Sequence, residues 1–128
     1  MQNAAARLIC SIPRFSHVTP VLYSLYWLPV QFRVDFKILM IAFKAIHSHA
    51  PEYICNLIHI KNPSMYGLRS NSELLLAPLS TKTKKTLGDR AFSAAAPSLW
   101  NKLPSEIRDE DNFEPSKCKL KTFLFREA

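Results

Sequence analysis

The stretch 31–48, QFRVDFKILMIAFKAIHS, constrains this chain more than any other. Phe32, Phe36, Leu39, Phe43 and Ile46 recur at steps of four and three, which puts them on one face of an α-helix. Arg33, Lys37 and Lys44 fall together on another face. No glycine or proline interrupts the span. The pattern predicts an amphipathic helix of about four to five turns, with an apolar stripe for packing and a basic stripe outside.

The flanking prolines predict where its neighbours lie. Thr19 suits an N-cap and Pro20 a first helical residue, so a short helix is expected over about 20–27. Val21, Leu22, Leu25 and Tyr26 would be its buried side. Pro29 disfavours helical geometry at Leu28 and ends it. The central helix then starts near Val30 and stops before Pro51. Pro51 and Glu52 suit the first turn of a third helix, 51–59, with Tyr53, Ile54, Leu57 and Ile58 inward.

Residues 2–10 read as helical through their alanines, and their abrupt start is what a truncated helix would show. Over 60–73 proline, glycine, serine and asparagine mark a loop. A short two-stranded β element is expected from 74–77 and 87–92, separated by the lysine-rich loop 80–86. Residues 93–108 read as two short helical stretches begun by Pro97 and Pro104. Leu99, Trp100, Leu103 and Ile107 would face inward. A terminal helix is expected over about 115–127, with Leu120, Phe123, Leu124 and Cys118 facing inward.

The expectation is therefore one mainly α domain over 1–128. It divides into a truncated helix (1–14), a helical half (15–59), a loop with short strands (60–92) and a last group of helices (93–128). With 48% hydrophobic residues in 128, the chain has the composition of a globular domain with a core of its own.

Chemistry is sparse. Asp109, Glu110 and Asp111 are consecutive, so a regular element cannot aim all three at one site; they read as a solvated turn. Cys55 and His59 share a helical face, with His47 and His49 nearby, but a closed zinc site needs four ligands and the C-x₂₋₄-C half-site is missing. Neither a G-x-S-x-G elbow nor a glycine-rich phosphate loop occurs. No catalytic residue, metal site or cofactor is expected, and no small-molecule substrate. The three cysteines Cys10, Cys55 and Cys118 are spread and form no C-x-x-C, which favours a reducing, intracellular setting over secretion. Uncharged runs are broken by Pro20 and Pro29 or by Asp35, Lys37 and Lys44, too short for a bilayer span.

Charge carries the remaining signal. Seventeen lysines and arginines against ten carboxylates leave a net +7, which favours polyanionic partners. Three basic groups stand out: Arg33, Lys37 and Lys44; Lys82, Lys84 and Lys85; and Lys117, Lys119 and Lys121. Each fits either a solvated face or a phosphate-binding surface, the loop group best, because it can follow a backbone without disturbing a core. Trp27 and Trp100, both in apolar company, read as core.

Six segments in order carry a resemblance: QNAAARL (2–8), HVTPVLYSLYWLPVQFRVDFKILMIAFKAI (17–46), APEYICNLI (50–58), GLRS (67–70), GDRAFSAAAPSLWNKLP (88–104) and LKTFLF (120–125). Together they resemble the extreme C-terminal region of reverse transcriptases from LINE-type non-LTR retrotransposons, over nearly the whole chain. The resemblance implies a region that follows the polymerase thumb, without the catalytic aspartates, which lie upstream in that family. It implies a non-enzymatic fragment whose basic faces contact template RNA or target DNA, or else a module that docks on the polymerase core or on a second copy. Two positions depart from the family pattern. Tyr26 replaces a histidine before the tryptophan of the W-L-P segment. Ser116 replaces a phenylalanine, which should weaken packing of the last helix unless Phe113 substitutes.

Overall fold

A computed structural model describes residues 1–62, 74–78, 88 and 91–128. Helices dominate them: α1 (Gln2–Ile9), α2 (Thr19–Ser24), α3 (Val30–Ile46), α4 (Glu52–Cys55), α5 (Phe92–Trp100), α6 (Ser105–Arg108) and α7 (Phe113–Glu127). The mainly helical expectation holds.

Helix α3 is the axis. It packs against α5 and against α7, α4 folds back on its end, and α6 supports α7. Leu39 and Phe43 of the apolar stripe are 1% and 2% exposed, and Phe32, Phe36 and Ile46 pack at the margin of the same core. Trp100, Leu103, Ile107, Leu120 and Leu124 close it from the other helices. A second, smaller core joins α1 to α2 through Ala6, Val18, Val21 and Leu22, with Cys10, Ile12, Leu25 and Trp27 around it.

The helix corners share one construction. Helices α1, α2 and α3 are each followed by a residue at positive φ: Ser11 (51°), Tyr26 (54°) and Ser48 (57°). At each, two backbone bonds turn back into the helix: Ile12 N–H to the Arg7 carbonyl (3.0 Å), Trp27 to Leu22 (2.8 Å) and His49 to Lys44 (2.7 Å), each with a shorter-range partner bond from the preceding residue. These are Schellman endings, built here without the usual glycine. Three residues after Tyr26 and Ser48 stand Pro29 and Pro51, the N-caps of α3 and α4, with φ, ψ of −54°, 152° and −56°, 147°. Pro104 caps α6 in the same way at −58°, 149°. The ring fixes φ near this value and lacks the N–H that a helix start leaves unpaired, so proline opens a helix without loss.

Several expectations are corrected in detail. Val18, not Thr19, is the N-cap of α2. Pro97 lies inside α5 rather than at a helix start, buried in the core. Helix α4 ends at Cys55, and Tyr53 and Leu57 are 71% and 43% exposed, because so short a helix offers only Ile54 and Cys55 to the core. Tyr26 (43% exposed) and Cys118 also face outward.

The β element is smaller than expected and differently partnered. Leu76 forms an antiparallel bridge with Ile60, flanked by Lys61 N–H to the Leu75 carbonyl and Ala77 N–H to the His59 carbonyl, both 2.8 Å. Its other edge is taken by side chains of the α5 terminus. Asn101 Oδ1 accepts from the Leu76 N–H (3.0 Å), Asn101 Nδ2 donates to the Leu76 carbonyl (2.9 Å), and Trp100 Nε1 donates to the Leu74 carbonyl (3.0 Å). Both edges of a core segment are thereby satisfied, as buried backbone requires. Phe92, expected in the second strand, begins α5, while 87, 89 and 90 lie outside the described residues.

The last helix starts at Phe113, earlier than expected. Phe113 packs against Phe43 with ring centroids 6.1 Å apart. It supplies an aromatic one turn before the buried Ser116, on the same face. Among the described residues no helix is long and apolar enough to cross a membrane.

Candidate nucleic-acid interface

A groove of about 710 Å³ lies between the start of α3, the middle of α7 and the α2–α3 corner. Helix periodicity explains its charge. Arg33 and Lys37 are one turn apart on α3, and Lys117 and Lys121 one turn apart on α7, so each helix projects two cations in one direction. All four line the groove, and among the described residues no carboxylate does. Two members each of two of the three basic groups read from the sequence therefore meet on one surface.

The rest of the wall includes the aromatic side chains of Tyr26, Trp27 and Phe36 and the polar ones of Gln2 and Thr122, beside Leu28 and Cys118. The corner between α2 and α3 is fixed from both sides. Gln2 Nε2 donates to the Leu28 carbonyl at 2.8 Å, tying α1 to it. Tyr26 Oη lies 3.0 Å from Thr122 Oγ1 on α7. The Thr122 hydroxyl places its one proton on the Cys118 carbonyl, also at 3.0 Å, so Tyr26 donates and Thr122 accepts. The Tyr26 ring packs on Phe125 with centroids 4.6 Å apart, and the Lys121 ammonium stands 4.4 Å from its centroid. Tyr23 meets Phe125 edge-on at 4.9 Å.

The other candidate cations are placed elsewhere. Lys44 lies over the Phe113 ring, 4.8 Å from its centroid, and Lys119 pairs with Glu110 of the acidic turn. Lys117 has Glu114 at 3.8 Å, with both side chains well exposed, a pair that water and salt weaken. Lys82, Lys84 and Lys85, the loop group, lie outside the described residues. Trp100 is core at 2% exposure, as expected, whereas Trp27 packs on the small core and also lines the groove.

His47 and His49 have ring centroids 6.5 Å apart, and His47 packs on Phe43 at 4.3 Å. No group of three histidine, cysteine or acidic side chains close enough to hold a metal ion occurs among the described residues. Sequence reasoning missed Gln2, Tyr26 and Thr122 as site residues. Only the W-L-P corner pointed to the first aromatic of the groove, and nothing local linked it to α7.

Comparison with protein-family models, with curated proteins and with solved structures finds no match to this chain.

Proposed function

We propose that this chain is a non-catalytic fragment derived from a LINE-type reverse transcriptase, and that the groove between α3 and α7 binds the phosphate backbone of nucleic acid. One observation carries the binding part. Arg33, Lys37, Lys117 and Lys121 converge on a concave wall that, among the described residues, no carboxylate shares. Exposed cations on one surface displace the counterions condensed along a phosphate backbone, and their release supplies affinity without base-specific contacts. The origin rests on the six ordered segments, and within such an enzyme the region would hold template RNA or target DNA beside the polymerase.

Binding to labelled RNA, followed by anisotropy across a salt series, tests this. Affinity should fall steeply with salt, and Lys37→Ala/Lys121→Ala should flatten the log–log slope by about 0.7 for each cation removed on a single strand. A parallel Lys82→Ala/Lys84→Ala/Lys85→Ala variant measures what the loop adds. Absence of binding near physiological salt, or an unchanged slope in the groove variant, would sink the proposal.

A second reading, a protein-interaction module, has its own support. Val30, Val34 and Ile41 are 62%, 54% and 38% exposed, and at these positions they share the outer stripe of α3. Under this reading the stripe docks on a polymerase core or a second copy. Light scattering across a concentration series should then reveal an oligomer that Val34→Lys abolishes.

A further inference from the structure

We propose that the groove takes an unpaired stretch of polynucleotide, with one base stacked on Tyr26 and adjoining phosphates on Arg33, Lys37 and Lys121. This deepens, and rests on, the nucleic-acid reading above.

The shape of the surface argues against a duplex. Proteins that read duplex DNA insert a convex helix or ribbon into a major groove about 12 Å wide. Here the cations stand on the walls of a concavity of about 710 Å³, on the scale of pockets that enclose a small molecule. A nucleotide or two of flexible strand enters such a space.

The aromatic content argues for bases as well as phosphates. Single-strand sites combine a cationic groove with exposed rings on which bases stack, because every base has a π-face. Tyr26 is 43% exposed at the groove wall. Its ring has Phe125 packed against it and the Lys121 ammonium over it. Lys121 thus holds the place a base would take. Its contact with the ring is a modest one at a partly exposed site. A strand phosphate offers the ammonium a full negative charge, and as Lys121 turns to it the ring face becomes free for the neighbouring base.

The backbone supports the same assignment. Tyr26 has φ of 54°, a conformation that a bulky residue holds only when its surroundings over-determine it. Those surroundings are α7: the Thr122 hydroxyl and the Phe125 ring. They fix the ring at the wall between the two cationic helices.

The experiment compares three probes of equal length on the intact chain: oligothymidylate, the same strand with abasic sites throughout, and a blunt duplex. Oligothymidylate should bind at least about fivefold tighter than the abasic strand, the scale of one stacked base, and tighter than the duplex. Tyr26→Phe should keep that preference. Tyr26→Asn, which tolerates positive φ, should lose it, so that its affinities for oligothymidylate and the abasic strand become equal. Tryptophan fluorescence should change on binding oligothymidylate, from Trp27 at the groove, since Trp100 is buried in the core. Equal affinity for oligothymidylate and the abasic strand, or preference for the duplex, overturns this inference and leaves backbone binding standing. Failure of all three probes to bind overturns both.

Discussion

Among the described residues, three at positive φ concentrate the local strain of the fold. Ser11, Tyr26 and Ser48 each close a helix where glycine is the usual choice, and a non-glycine residue there costs about 1–2 kcal/mol. Ser48 and Tyr26 differ in what offsets that cost. Ser48 is exposed, so Ser48→Gly should stabilise the fold by about 1 kcal/mol and raise the melting temperature by a few degrees, measured by circular dichroism. Tyr26 has a hydrogen bond, a ring partner and a cation, together worth about 2–3 kcal/mol. Tyr26→Gly should therefore destabilise the chain by about 1 kcal/mol despite the relieved backbone. An increase in melting temperature for Tyr26→Gly would show that those contacts contribute little. The helix breaks were legible from Pro13, Pro29 and Pro51. The positive φ values were not, because glycine is the residue that signals them in a sequence and none stands there.

At the scale of elements, two supports of the main core lie in pieces that are weak by themselves. The bridge at Leu76 is too short to be stable alone, and the Asn101 carboxamide supplies its second edge. Asn101→Ala should cost about 1–3 kcal/mol, the desolvation of an N–H and a carbonyl left unpaired; Asn101→Asp should keep the bond to the N–H and lose the one to the carbonyl. Denaturant unfolding checks both, and a cost for Asn101→Ala within error of zero would mean that water replaces the clamp. Phe113 is the other support. Its packing on Phe43 makes Phe113→Ala worth about 2–4 kcal/mol, somewhat below the loss from a fully buried phenylalanine. The apolar steps of α3 and α7 were readable by period alone. The partner of Leu76 was not: hydrophobicity marks a short apolar run but does not choose between 59–61 and 87–92 as its neighbour.

Across the whole molecule, the two cores predict unequal stability. Helix α3 is held by both α5 and α7, whereas α1 packs against α2 around four buried residues among those described. Amide exchange should therefore be slowest over Leu39–Phe43 and much faster over Gln2–Ile9, the latter opening without global unfolding. Equal protection in both would indicate a single cooperative unit. The local opening bears on the groove, since Gln2 braces the corner that carries Tyr26 and Trp27. By itself the sequence determined the helical class, the amphipathic axis, the proline-set helix starts and the presence of three basic groups. All of these follow from neighbours within a turn or two, where backbone geometry alone relates one side chain to the next. Only the tertiary structure decided which basic groups share a surface. Arg33 and Lys37 meet Lys117 and Lys121 because α3 packs on α7, and Tyr26 joins them through a hydrogen bond spanning 96 residues. Contacts so distant in sequence are set by how two apolar stripes pack together, which no local pattern encodes.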